Sequence, residues 1–501
     1  PGAPPGDTAV MSARADLGKL EATGLIEIAA LQPELEYLFR HALVQEAAYS
    51  SLLKQDRRTL HRAAAETILS LHGERQRELA GVIAMHFEQA GDASRAAEYF
   101  VQAGEHALER FANKEATAFF TRVDTLADDS QSALRLRAAV GGAKAGWTYS
   151  TSGTDIDRLE RAVAGADGTD QRLLAEACFW IAFLRRQRGE APGSSPALKA
   201  ALDRAAQIGE ALGDPNAAAL PKALMGSYIA FTGRLREGAR DMREALDSIE
   251  AESDPLSTAM VSDFLALTYA RLGDFAAAEE ALARSQRLAE NGDAIARVDV
   301  MIAESAIHLE RGELDEASAQ SMQCATRAEE LGAFACVVVS NVMYGAASLA
   351  LEDAPAAKAP LERGSELSTV TNMAPMRTLI QGLLGSVRAQ LGDLPGGIAG
   401  WDEALASARA MNDRYGEAQT LWRRGRTLAR EATPDWTAAL ADLDRAVELF
   451  DAMETRPSLA RALHDRAQAL RALGRGEEAA EADRRSRDLG RELGLKDLSF
   501  A

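Results

Sequence analysis

Residues 258–289 read TAMVSDFLALTYARLGDFAAAEEALARSQRLA, and this stretch decides the fold. Apolar residues recur at helical spacing over Thr258–Leu272 and again over Phe275–Ala289. Between the two runs, Gly273-Asp274 stops the first helix and caps the second, because Gly tolerates a left-handed helix end and Asp is a favoured N-cap. The stretch therefore predicts a hairpin of two helices, which we call helix A and helix B.

The same turn recurs along the chain at intervals of 40, 39, 40, 40, 40 and 42 residues. The turn positions are Gly233, Gly273, Gly312, Glu352, Gly392, Ala432 and Gly474. The predicted hairpins end at Gly213, Gly292, Gly332, Asn372, Asn412 and Gly494, where Gly and Asn tolerate a left-handed stop. A fixed period between 20 and 50 residues is typical of a stacked-repeat protein.

Three columns of small residues keep the same register and indicate close approach of helix backbones. The first column is Gly226, Ala266, Ser305, Gly345, Gly385, Gly425 and Ala467. The second is Gly238, Ala278, Ala317, Ala357, Gly397, Ala439 and Ala479, and the third is Ala245, Ser285, Cys324, Gly364, Ala404, Ala446 and Ser486. Bulky residues stand between the last two columns, at Met242, Leu282, Leu361, Trp401 and Leu443. We expect these bulky side chains to fill the space that the small residues leave.

This order of small residue, Gly-Asp turn, alanine and bulky apolar residue resembles the tetratricopeptide repeat. The match covers roughly residues 171–494, in repeats of about 40 residues that mostly lack the closing proline. The family repeat has 34 residues. The resemblance implies an all-α fold, a right-handed tetratricopeptide-like α-solenoid superhelix, and protein–protein interaction as its use. The resemblance gives almost no information about the ligand.

The N-terminal residues follow a different pattern. Residues 14–21 predict a short helix, alternating apolar residues around Gln32-Pro33 predict a β-hairpin, and His41–Leu53 and Arg57–Leu71 predict amphipathic helices. Helix, hairpin and helix is the layout of a winged helix. We therefore expect a small winged-helix remnant with linking helices at 1–76, irregular first repeats at 77–170 and regular repeats at 171–501.

Two N-terminal strings carry a second resemblance. Residues 39–53 read FRHALVQEAAYSSLL and 57–61 read RRTLH, and they are followed by HFEQAGD at 86–92 and AAEYF at 96–100. These strings resemble the junction and first repeat of large bacterial proteins that join an adenylate or guanylate cyclase, an AAA-type STAND ATPase and C-terminal tetratricopeptide repeats. The resemblance implies an upstream nucleotide-binding ATPase and allows for a cyclase. The chain starts with Pro1 rather than Met, which we interpret as a piece of a longer polypeptide.

Composition narrows the function further. With 56 basic and 75 acidic residues the formal charge is −19, which disfavours nucleic acid as a partner because phosphate contacts need surplus Lys and Arg. Cys178, Cys324 and Cys336 form neither a disulfide framework nor a metal site. No apolar run is long enough to span a membrane, and the sequence contains no basic segment followed by an apolar one that would predict a signal peptide, so we expect a cytoplasmic protein. No phosphate-binding loop or cyclase-type aspartate pair is present, so we expect no catalytic residue, no cofactor and no metal.

A partner site is predicted on the inner, concave face that the A helices line. Counted from the first small column, inward positions fall at −6, −3, +1 and +4. The middle repeats place an apolar wall there: Val339, Val342, Ala346, Leu349, Leu379, Gly382, Ser386 and Ala389. The last two repeats place there a group that could hold an acidic protein segment: Trp422, Arg426, Arg461, His464 and Arg471. The alternative is a solvated terminal face that keeps the end of the solenoid in solution.

Three functions are compatible with the sequence. The first is a non-catalytic protein-interaction and regulatory scaffold of a cyclase/STAND ATPase signalling protein, with a protein or peptide partner that includes its own upstream modules. The second is the ligand-sensing arm of a STAND-type transcription activator, a class that often carries a DNA-binding domain after the repeats. The third, an enzyme in its own right, is disfavoured because the chain has no catalytic motif. The upstream sequence distinguishes the first two, since cyclase aspartates there support the first.

Overall fold

The computed structural model describes residues 15–30, 36–148, 153–166, 170–190, 193–249, 255–290, 292 and 294–496. Internal contacts divide the chain into two units, Pro1–Ala103 and Gly104–Ala501. We call them the N-terminal unit and the solenoid unit. The predicted turn at Gln32-Pro33 lies outside the described residues.

The N-terminal unit contains the predicted β-hairpin. A helix over residues 15–22 (α1) leads into strands β1 (Ile26–Ala30) and β2 (Glu36–Phe39), which pair antiparallel with Ile26 opposite Phe39. The helices that follow are α2 (Ala42–Ser51), α3 (Lys54–Leu71) and α4 (Ala80–Ala90), and α5 (Ala93–Glu109) begins in this unit. Among the described residues α2 buries no side chain and α3 buries only Ala65. The hairpin and helices are confirmed, and their assignment to a winged helix stays a prediction.

The solenoid unit consists of paired helices. Its irregular first part contains α6 (Asn113–Leu126), α7 (Ser132–Gly146) and α8 (Gly153–Ala164). Eight hairpins then follow within the described residues: α9 (Gln171–Gln187) with α10 (Pro196–Leu212), α11 (Pro215–Phe231) with α12 (Leu235–Asp247), α13 (Pro255–Leu272) with α14 (Phe275–Glu290), α15 (Ala294–Arg311) with α16 (Leu314–Leu331), α17 (Phe334–Ala350) with α18 (Ala354–Val370), α19 (Ala374–Gln390) with α20 (Leu394–Ala410), α21 (Arg414–Arg430) with α22 (Trp436–Met453), and α23 (Arg456–Ala472) with α24 (Gly476–Leu493). The predicted all-α solenoid of about 40-residue helical hairpins is confirmed.

The turns have the predicted left-handed backbone at most positions. The glycines at the turn marks have φ between 75° and 94°, and Glu352 takes the same conformation with φ 59°. At the hairpin ends, φ is positive at Gly213, Gly332, Asn372, Asn412 and Gly494. Gly292 was expected to behave likewise, but its φ is not in the left-handed region.

The small columns lie where helix A meets helix B, as predicted. A Cβ added to Gly345 would lie 2.6 Å from Leu361, and one added to Gly385 would lie 2.7 Å from Trp401. Ala266, which stands in the same column, is fully buried. The close packing follows because a bulky residue on helix B occupies the space above each small residue on helix A.

Hairpins four or five places apart contact each other, so four to five hairpins complete one superhelical turn. Arg236, at the start of α12, forms a bidentate ion pair with Glu454, 218 residues further along. A Cβ on Gly273 would meet Leu493 at 2.7 Å, and the N–H of Lys496 bonds the carbonyl of Arg311 at 2.9 Å. The concave face of the solenoid is therefore enclosed by the next turn.

Within the described ranges, the helices include none with the length and apolar character required to cross a bilayer.

Candidate ligand cavity inside the solenoid

The A helices enclose a cavity of about 230 Å³. Its lining comes from every A helix between α9 and α19, together with the start of α21. The wall is mostly apolar and includes Val339, Val342 and Leu379 from the predicted inner wall. Aromatic rings from Trp147, Phe183 and other side chains close one side. An apolar cavity with a few polar groups is the usual form of a ligand-binding site.

Two arginines face this cavity without an ion-pair partner among the described residues. Arg186, on α9, lies over the ring of Phe264, with its guanidinium carbon 4.2 Å from the ring centroid. Arg271, on α13, lies over the ring of Tyr415 at 3.9 Å. The Nε of each arginine has no solvent-accessible area and no hydrogen-bond partner. Burial, and then the charge of Arg271, lowers the pKa of Arg186.

Two aspartates face the same cavity from the neighbouring A helices. Both carboxylate oxygens of Asp263 are shielded from solvent and accept no hydrogen bond, since the nearby Ser285 hydroxyl donates to the carbonyl of Ala259. Asp299 accepts a hydrogen bond from the thiol of Cys336 at 3.3 Å. Burial, reinforced by the charge of Asp299, raises the pKa of Asp263 well above its usual range. The environment of Asp263 therefore favours the neutral carboxyl form.

A second, smaller recess of about 70 Å³ shares Arg271 and Tyr415 with the cavity. There the Tyr415 hydroxyl donates to Glu310 at 2.9 Å, and Arg461 forms an ion pair with the same carboxylate at 3.6 Å. Arg461 also donates to the backbone carbonyl of Glu310 at 2.7 Å. Burial, increased by the charge of Glu310, raises the pKa of Tyr415 to about 12. This network connects α23 and α21 to α15 across one turn of the superhelix.

The structure does not bring the five predicted partner-binding residues together on one open face. Trp422 is buried and donates to Asp465 at 2.6 Å, and Arg426 lies 3.7 Å from the same carboxylate. Arg461 is only 3% exposed and bonds Glu310 as described above. His464 forms a hydrogen bond with Gln468. Arg471 is exposed and pairs with Asp483 at 2.6 Å. Three of the five side chains thus lie inside the solenoid.

The sequence analysis missed the ionisable residues of the cavity, although the signal was present. Counted from Ala266, position −3 is Asp263, and counted from Ser305, position −6 is Asp299. Both are inward positions by the rule that was applied only to the last four repeats. Acidic residues at inward positions of an otherwise apolar wall would have indicated the site.

The other reactive side chains do not form a comparable candidate site. Burial raises the pKa of the Cys178 and Cys324 thiols to about 11, which makes both poor nucleophiles at neutral pH. No group of three or more His, Cys, Asp or Glu side chains suited to a metal ion occurs in the described parts of the chain. In the N-terminal unit His61 and His86 approach to 2.9 Å between their Nδ1 atoms. None of these groups lines the cavity.

No family model matches the chain. It is 31% identical over 121 residues to an uncharacterised protein of Rhizobium meliloti (strain 1021), a match that spans 23% of this chain and 12% of that relative.

Three solved structures illustrate the likeness. A Rap protein complexed with competence and sporulation factor has a TM-score of 0.44 and 12% identity, covering 79% of this chain and 98% of that one. The quorum sensor NprR from B. thuringiensis has a TM-score of 0.44 and 15% identity, over 70% and 98%. The Cut9–Hcn1 complex of the APC/C has a TM-score of 0.46 and 15% identity, over 90% of each chain. All three are tetratricopeptide-like helical solenoids.

Proposed function

We propose that this chain is a non-catalytic regulatory scaffold of a nucleotide-dependent signalling protein, and that its solenoid unit responds to a ligand held in the inner cavity. The observation that carries the proposal is the pair Arg186 and Arg271, which face an enclosed apolar cavity with no carboxylate partner. A purely structural solenoid gains little from two partly buried arginines without a carboxylate partner, because removing a charge from water costs free energy. Perturbed ionisable groups in a cleft are typical of a functional site.

The nucleotide-dependent context rests on the N-terminal strings at 39–61 and 86–100, which resemble the junction of cyclase/STAND ATPase proteins. The same cavity also supports a second candidate, the ligand-sensing arm of a STAND-type transcription activator. Both candidates place nucleotide chemistry upstream and ligand recognition in the solenoid. They differ in the output, which is a cyclic nucleotide in the first and transcription in the second.

The test compares the natural full-length polypeptide with a version that lacks residues 104–501. We expect the isolated chain to show no ATP hydrolysis and no cyclase activity. We expect removal of the solenoid unit to change the nucleotide turnover of the full-length protein. Equal turnover with and without the solenoid unit would contradict a regulatory role, and turnover by the isolated chain would contradict a non-catalytic one.

A further inference from the structure

The size of the cavity limits its ligand to a small molecule. An apolar cavity of about 150 Å³ holds one benzene molecule. The cavity volume is about 230 Å³. By the same ratio, a cavity of about 230 Å³ admits roughly ten non-hydrogen atoms. A folded peptide segment or a protein helix is therefore too large, and an amphipathic small molecule fits.

The charged groups of the cavity determine the sign of the charge that its ligand carries. Arg186 and Arg271 face it with no carboxylate within ion-pair distance among the described residues. Asp413 also lines the cavity, and it already accepts the backbone N–H of Gly416 at 2.8 Å as the N-cap of α21. The guanidinium group matches a carboxylate as a planar fork, and the interaction strengthens away from water.

The acidic residues of the lining do not reverse this balance. The environment of Asp263 favours its neutral carboxyl form, whose hydroxyl can donate to an anion. The thiol of Cys336 already donates to Asp299, and Glu190 is paired with Arg185 at 2.9 Å. A cationic ligand would have to approach two arginines that lack a carboxylate partner among the described residues. An anionic ligand would give both arginines a counter-charge.

We propose that the inner cavity binds a small amphipathic anion, with an apolar body against the wall of α15, α17 and α19 and a carboxylate held by Arg186 and Arg271. This inference rests on the proposed function and names the class of its ligand. Since the two arginines lie on α9 and α13, a bound anion contacts both of these helices.

The test measures binding of defined probes to the full chain by isothermal titration calorimetry. The probes are octanoate and 3-phenylpropanoate, with 1-octanol and octylammonium as the neutral and cationic analogues. We expect both carboxylates to bind at least tenfold more tightly than either analogue. Equal binding of octanoate and its analogues, or no binding of either carboxylate, would overturn the proposal.

Variants locate the site. Arg186→Gln and Arg271→Gln should each weaken octanoate binding at least tenfold and leave octanol binding within twofold of the parent. Both variants should fold, since each side chain is partly exposed and has no ion-pair partner among the described residues. Arg240→Gln is the matched control, because Arg240 is exposed and pairs with Asp241 outside the cavity. Ala303→Phe, which fills the cavity, should abolish binding of every probe.

Unchanged octanoate binding in the arginine variants, or in Ala303→Phe, would show that the anion binds elsewhere and would overturn the assignment. The proposed regulatory role is tested separately, by the nucleotide turnover of the full-length polypeptide. A chain that regulates turnover without binding these anions would retain the proposed function and lose this inference.

Discussion

Adding one methyl group at Gly345 tests the hairpin packing most sharply. Gly345 lies in the middle of α17, and an added Cβ would lie 2.6 Å from both Cγ and Cδ2 of Leu361 and 2.8 Å from its Cδ1. Carbon atoms in contact prefer about 3.5–4.0 Å, so the overlap is on the order of 1 Å. Leu361 is fully buried.

The expected free-energy change is the balance of two effects. Overpacking of a core costs about 1–3 kcal/mol. Replacing Gly by Ala inside a helix gains roughly 0.5–1 kcal/mol. We therefore expect Gly345→Ala to lower the free energy of unfolding by about 1–2 kcal/mol.

The matched control is Gly364→Ala, in the other helix of the same hairpin. Its added Cβ would lie 3.4 Å from Ile380 and 3.5 Å from Asn341, which is ordinary van der Waals contact. Only the helix-propensity gain remains, so this variant should be stabilised by about 0.5–1 kcal/mol. In a Leu361→Ala background, Gly345→Ala should cost less than it does in the parent, because truncating Leu361 makes room for the new methyl group.

Urea unfolding followed by circular dichroism gives the stability order, and hydrogen exchange gives its location. Because each hairpin contacts mainly its neighbours, exchange should accelerate first in α17, α18 and the adjoining helices. If Gly345→Ala proved as stable as Gly364→Ala, the close contact between Gly345 and Leu361 would be wrong.

Three further predictions concern buried charges. Arg461→Met should lower the free energy of unfolding by about 3–5 kcal/mol, because it leaves Glu310 buried without its cation. Arg471→Met, at an exposed ion pair, should lower it by less than about 1 kcal/mol. Urea unfolding of both variants measures these losses, and equal losses would refute the buried network. Because the pKa of Asp263 is raised in the folded state, the folded protein binds a proton that the unfolded chain releases, and stability should fall as pH rises above the ordinary carboxyl pKa. The stabilisation gained by Asp263→Asn should therefore grow between pH 4 and 8. Melting curves of the two proteins with no such trend would contradict this prediction. Burial and the neighbouring histidine lower the pKa of His86, so its contribution to the stability of the N-terminal unit should be fully present above pH 6.5 and should be lost as pH falls below that value. His86→Phe should remove this acid sensitivity in hydrogen exchange at pH 5 and 7. The same sensitivity in the variant would refute the assignment.

The hairpins could be predicted from the sequence because their determinants are local and repeat. Gly273 with Asp274 specifies a turn by backbone conformation and capping, and Gly345 with Leu361 specifies a contact by complementary volume. Each of these pairs lies within one repeat of about 40 residues. The same spacing in successive repeats therefore gives both the helix boundaries and the face of each helix that packs.

The cavity could be predicted only in part. The inward-position rule correctly gave the apolar wall, including Val342 and Leu379. It could not give the partner of Arg461, because Glu310 lies 151 residues earlier and the two meet only when the superhelix closes. The pitch that brings them together results from small angles added over five hairpins, and no single residue encodes it. A concave face that the sequence suggests is open is for this reason enclosed.

Closure of the superhelix can be measured directly by cross-linking Arg236→Cys to Glu454→Cys. These two exposed residues contact each other although 218 residues separate them, and the three native cysteines are buried. A short bifunctional maleimide should join the pair within one molecule in high yield, and each single-cysteine variant should give no such product. Only intermolecular product, or none, would show that the solenoid is open and that its inner face encloses no ligand cavity.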